Sequence, residues 1–205
     1  MPGWRVLVSM IPLSRIDLPA DLIAAARRGD RDAQARIYAA VGPSTLRLIA
    51  RLVPAHAAED VFQDVLMTAF ERLHEWRGPA PVGAWLRAIA VNRALSYLRS
   101  PWHRLRDWAR GDADPAEEHA PWLAESMSDD PAARVDLLRL LQHLSPSTRA
   151  VLWLHEVEGY SHAEIAAATG RSPSYSKSIV ARARRELRSL AAARTAPLPS
   201  RVVAP

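Results

Sequence analysis

The chain has 205 residues, 49% of them apolar, and a formal net charge of +5 carried almost wholly by arginine, Lys177 being the single lysine. It has no cysteine, which excludes disulfides, thiolate zinc sites and cysteine nucleophiles. The length allows one larger domain or two small ones, and no apolar run reaches the ~20 residues a bilayer span needs.

Helical periodicity dominates, and no run alternates like a strand. Residues 1–17 read as an N-terminal extension. The segment Trp4 to Leu13 lacks the apolar core and small-residue cleavage site of a signal peptide, and either Met1 or Met10 can serve as the start. Asp21 to Arg28 reads as a helix closed by Gly29, and Asp30 caps a second that runs to about Ala40. Pro43 to Val53 reads as a third, broken by Pro54. Ala57 to Trp76 reads as a long amphipathic helix with Val61, Phe62, Val65, Leu66, Phe70 and Leu73 on its buried side. Gly78-Pro79-Ala80-Pro81 is a loop, and Val82 to Arg99 is a helix stopped by Ser100-Pro101.

The composition then shifts. From Gly111 to Asp130 every charged side chain other than His is acidic, and Pro115 and Pro121 interrupt any period. Residues 102–131 therefore read as a flexible acidic linker. Asp130-Pro131 restarts a helix to about His143, and Ser145-Pro146 starts another that ends at Gly159. Residues 193–205, rich in proline, read as a disordered tail.

Gly159 to Arg188 carries the sharpest signal. Ser161 and Glu164 have the spacing of a capping box. Gly170 suits the left-handed end of that helix, and Ser172-Pro173 starts the next. Ile179, Val180, Ala183, Leu187 and Leu190 give the second helix an apolar stripe. Lys177, Arg182, Arg184, Arg185 and Arg188 fall mostly elsewhere on it. Two short helices with a basic second member form the pattern of a helix-turn-helix, whose second helix enters the major groove of duplex DNA. The plain alternative is a surface hairpin with a solvated basic face.

Two further groups stand out. Asp60 and Asp64 are one helical turn apart, with Glu59 and Gln63 in the adjacent row. This is either a solvated face or a docking strip for another protein. Trp76 and Arg77 open a Pro/Gly loop, and the helix after it carries Arg87, Asn92, Arg93 and Arg99. Aromatics stack on unpaired bases and arginines neutralise phosphates, so a single-strand site is one reading. The other is that the tryptophans seal a core, which fits Trp85 better than Trp76. The seven histidines are scattered, and no metalloprotease, P-loop, nucleophile-elbow or dinucleotide motif is present. No enzyme activity and no cofactor or metal are expected.

In this order, the motifs resemble the extracytoplasmic-function sigma factors of bacterial RNA polymerase. Gly29-Asp30-Arg31-Asp32-Ala33 matches that family's opening motif, and Ala58 to Val65 matches its acidic helix motif. Phe70 to Gly78 and Trp85-Leu86 through Asn92-Arg93 are similar to its promoter-melting portion. Leu144 to Arg149 and Gly159 to Ala166 are similar to its C-terminal domain. The resemblance extends from about Leu18 to Leu190.

It implies an all-α protein of two small helical domains, 18–101 and 132–192, joined by the flexible acidic linker. It implies that Asp60, Gln63 and Asp64 dock on core RNA polymerase. Trp76, Arg77, Arg87, Asn92 and Arg93 would hold the melted minus-ten element. Arg171, Tyr175, Lys177, Ser178 and Arg182 would read the minus-thirty-five element. The implied partners are core polymerase, promoter DNA and an anti-sigma factor, in the cytoplasm and without membrane insertion. A helix-turn-helix regulator that ignores core polymerase is the alternative. Two positions depart from the family pattern: Ile179 stands where Arg is usual, and Ser96 where Asp is usual.

Overall fold

A computed structural model describes residues 12–100 and 139–195, with side chains to residue 192. The expected acidic linker and the tail beyond residue 195 lie outside the described residues. Among the described residues all regular structure is helical.

The first half holds four helices: α1 Ala20–Arg27, α2 Arg31–Leu52, α3 Ala55–Glu71 and α4 Val82–Arg99. Asp30 caps α2, its carboxylate accepting from the backbone N–H groups of Asp32 and Ala33. Pro54 and Pro81 precede α3 and α4, where a residue without an N–H sacrifices no helical hydrogen bond. The second half holds α5 Pro146–Glu156, α6 His162–Thr169 and α7 Pro173–Thr195.

Three expectations change. First, α2 is one helix, not two, and Pro43 lies inside it. Proline in a helix interior removes a hydrogen bond and crowds the preceding turn. Here Pro43 and Ala39 both face solvent, so water can serve the Ala39 carbonyl. Thr45 donates to the Val41 carbonyl at 2.8 Å. The opposite face, with Val41, Leu48 and Ile49, is buried, and α2 packs on α3, α4 and α5. That packing outweighs local propensity.

Second, α3 stops at Glu71. A 3-10 turn, Leu73–Glu75, follows, and Trp76 lies in extended backbone beyond it. Third, the described end of the N-terminal extension is packed against the body of the protein. Leu13–Arg15 form a 3-10 turn against α4, Leu13 and Ile16 are buried, and the Gly83 N–H donates to the Ile16 carbonyl at 2.9 Å.

The buried cluster runs without interruption from this N-terminal strap to Ala183, through both halves of the chain. Ile49, Val65, Leu154 and Ile165 are wholly enclosed in it. Besides α2 on α5, α4 packs on both α5 and α6.

Candidate nucleic-acid interface

The helix-turn-helix forms as its local chemistry dictates. The Ser161 hydroxyl accepts from the Glu164 N–H, and the Glu164 carboxylate accepts from the Ser161 N–H at 2.8 Å. The Ser161 hydroxyl also donates to that carboxylate at 2.7 Å, and this bond, then the one from the Ser161 N–H, holds the Glu164 carboxyl below the usual carboxylate range. Gly170 closes α6 at φ 64°, a conformation that costs other residues energy through their Cβ. Ser172 then accepts from the Tyr175 N–H and opens α7.

The inner side of α7 consists of Ser176, Val180 and Ala183, all buried. Ser176 is the member the sequence hides, because a serine carries no apolar signal. Its hydroxyl lies 3.0 Å from His162 Nδ1, tying α7 to α6. His162 stacks on His155 at 4.2 Å between ring centroids. Desolvation, then the charges of His155, Lys177 and Arg184, push His162 below the ordinary imidazole range. On the outer side, Lys177, Ser178, Arg182 and Arg185 are all exposed. Arg184 is engaged, pairing with Glu156 of α5 at 2.6 Å. Arg171 sits over the Tyr175 ring at 5.7 Å, and both are exposed at the N-terminal end of α7.

On α3, Asp60, Gln63 and Asp64 project from one exposed face while Val61, Val65 and Leu66 are buried behind them. Met67 completes that face and is 64% exposed. Sequence reasoning passed over it because a methionine in an amphipathic helix reads as core. Its spacing of seven from Asp60 was the available signal.

Trp76 is a structural part of its own loop. Its indole N–H donates to the Ala80 carbonyl at 3.0 Å, and it packs against the buried cluster. Arg27 of α1, which the sequence does not single out, donates to the Leu73 and Trp76 carbonyls and lies over the indole at 5.9 Å. The loop is thereby held in one shape, with Arg77 exposed beside it.

The residues grouped on α4 do not converge. At about 100° per residue, Arg87, Asn92 and Arg93 project in three directions. Arg87 faces the second half of the chain and pairs with Glu158 at 3.2 Å. Arg93 faces α3, donating to Thr68 at 2.9 Å and lying 3.4 Å from Asp64. With Asp60 and Asp64 it lines an open groove of about 400 Å³, so it adjoins the acidic strip. Asn92 faces solvent midway along α4, about 15 Å from its first residue at 1.5 Å per residue, and not near the start of that helix.

Fold and site define a chain whose described residues are all helical in their regular structure, with a C-terminal helix-turn-helix and a separate acidic helix face. Residues 37–104 match the family model for Sigma-70 region 2, and residues 134–187 match that for Sigma-70 region 4. The chain belongs to the sigma-70 family of RNA polymerase sigma factors, in its extracytoplasmic-function group.

The chain is 32% identical over 167 residues to the RNA polymerase sigma factor CarQ of Myxococcus xanthus, covering 80% of this chain and 92% of that one. It is 33% identical over 155 residues to the ECF RNA polymerase sigma factor SigG of Mycobacterium tuberculosis. That match covers 66% of this chain but only 42% of SigG, so the chain spans less than half of that relative. Among solved structures, the sigma factor RpoE of Bartonella quintana, crystallised with the anti-sigma factor NepR, superposes with a TM-score of 0.54. It is 28% identical, covering 77% of this chain and 96% of that one.

Proposed function

We propose that this chain is a promoter-specificity subunit that binds core RNA polymerase, directs it to particular promoters and helps open them. The observation that carries the reading is the coexistence of two faces on one chain. One is the exposed basic side of α7 and the other is the acidic side of α3 with Asp60, Gln63 and Asp64. A regulator that only grips duplex DNA has no use for the second face. The region 2 match over that helix favours the polymerase reading over such a regulator.

In this reading the α3 strip docks on the polymerase's largest subunit. Lys177, Ser178 and Arg182, with Arg171 and Tyr175, enter the groove of the minus-thirty-five element. Trp76, Arg77 and Asn92, with Arg87, hold the melted minus-ten strand. The work is done by binding, without catalysis or cofactor. Unstacking a base step costs a few kcal/mol, and stacking on an aromatic returns ~1–3 kcal/mol per base. Phosphate contacts supply a salt-dependent remainder. An anti-sigma factor is the expected inhibitor, and the cytoplasm the expected compartment. No helix of the described residues is long and apolar enough to cross a membrane.

Run-off transcription by core polymerase from a pool of promoter sequences tests the reading. Enrichment of a shared two-element sequence supports it, and transcription no higher than with core alone refutes it. In the same assay Trp76→Ala is expected to cut open-complex yield about tenfold, because it removes the loop's internal anchor as well as a stacking surface. Duplex binding should be retained. An open-complex yield equal to wild type would remove Trp76 from the melting role.

A further inference from the structure

The loop from Trp76 to Pro81 is gripped at both ends by one N-terminal segment. At its entry, Arg27 at the end of α1 donates from Nε to the Leu73 carbonyl at 3.1 Å and from a terminal nitrogen to the Trp76 carbonyl. The same guanidinium lies over the Trp76 indole at 5.9 Å. At its exit, the Leu13–Arg15 turn and Ile16 lie on the first turn of α4. The Gly83 N–H is one of the groups that a helix start leaves without a helical partner, and it donates to the Ile16 carbonyl at 2.9 Å. Only a residue with no side chain lets the Leu13 and Ile16 carbonyls come so close.

The two grips belong to one packed unit. Leu13 and Ile16 of the strap are buried, as are Leu22, Ile23 and Ala26 of α1. Helix α1 packs on α2 and on the Leu73–Glu75 turn. Between the grips, the loop has no helical ladder of its own and closes on itself through the bond from the Trp76 indole to the Ala80 carbonyl. Arg77, Gly78, Pro79 and Ala80 are left exposed. A loop that becomes ordered only when it captures a strand loses part of its binding free energy to that ordering. A loop held beforehand does not.

We infer that residues 13–27 are a positioning element for strand capture, in which Arg27 and the Leu13–Ile16 strap hold the Trp76–Pro81 loop in the shape that takes unpaired minus-ten DNA. This role rests on the strand-holding reading given above. Arg27 acts through the loop and not on a phosphate: its guanidinium is turned to the Leu73 and Trp76 carbonyls and the indole face. The strap acts through the start of α4. Freeing either end lowers the fraction of loops in the competent shape, and the apparent affinity for the strand falls in the same proportion.

The test uses the full chain assembled with core polymerase, titrated well below its Tm against a labelled single strand carrying the minus-ten sequence from the run-off selection. Arg27→Ala should weaken strand binding about fivefold, if the freed loop keeps the held shape about a fifth of the time. Arg27→Lys should lose less, since an ammonium can reach one carbonyl but lacks the guanidinium fork. Leu13→Ala with Ile16→Ala should give a similar loss with no change of charge. Assembly with core polymerase and binding to a minus-thirty-five duplex should stay at wild-type levels in every variant. The salt slope of strand binding should also be unchanged, whereas loss of a phosphate contact would reduce it by about 0.7. Wild-type strand affinity in both Arg27→Ala and the strap variant overturns the inference. So does a reduced salt slope for Arg27→Ala, which would make Arg27 a direct contact, and so does an equal loss of core or duplex binding, which would make the effect one of stability alone. A wild type that binds the selected strand no better than a scrambled one sinks the strand-holding reading itself, and the positioning role with it.

Discussion

Asp60→Arg is expected to abolish co-purification with core RNA polymerase, weakening the complex at least 100-fold, or by about 3 kcal/mol. Asp60 sits on the exposed side of α3, beside Asp64 and across the groove from Arg93. Reversing its charge cancels the acidic excess of the strip, since Glu59 and Asp64 are then matched by Arg93 and the new guanidinium, and puts a positive charge at the position of Asp60. A basic partner surface then meets repulsion where it needs attraction. The fold should tolerate the change, because exposed substitutions usually cost within about 0.5 kcal/mol. Thermal melts and duplex binding by α7 should therefore be unaltered. A pull-down with purified core polymerase decides the matter, and wild-type recovery of the variant would remove α3 as the docking face. Met67→Ala on the same face should give a smaller loss through lost apolar contact alone.

Gly83→Ala is expected to cost about 2 kcal/mol or more of stability and to lower Tm by about 4–8 °C. This is not a loss of conformational freedom, since Gly83 is an ordinary helical residue near the start of α4. A Cβ there would overlap the carbonyl oxygens of both Leu13 and Ile16. These are backbone atoms of the strap and cannot swing aside like a side chain. Either α4 shifts, or the strap lifts and exposes Leu13 and Ile16, at about 1.5–3 kcal/mol for each buried side chain. A double-mutant cycle separates the two. In a chain truncated before Asp17, Gly83→Ala should be nearly silent. An equal penalty there would show that the clash is not with the strap.

Much of the fold is legible in the residues because its punctuation is local. Val82 to Arg99 ends where its flanking prolines require, and the Ser161–Glu164 box and Gly170 place the helix-turn-helix without tertiary information. Pro43 misleads because proline's cost is local and certain, while the compensation comes from three helices packed along the far side of α2. Trp76 stays open between a stacking platform and a core seal in the sequence because its anchors, the Ala80 carbonyl and Arg27, are not in its helical pattern. Ser176 goes unmarked in the sequence because a serine carries no apolar signal and its partner, His162, lies on another helix.

By itself the sequence determined the helical class, the order of the motifs and the exposed basic and acidic faces of α7 and α3. Each depends on periodicity within one element, and periodicity is a property of consecutive residues. Only the tertiary structure decided how the arginines are spent. Arg87, Asn92 and Arg93 look like one cluster in a string of letters, yet the helix turns them in three directions, to the second half of the chain, to solvent and to α3. A charged side chain's role depends on the group opposite it. For Arg87 that group is Glu158, 71 residues away along the chain and 3.2 Å away in space.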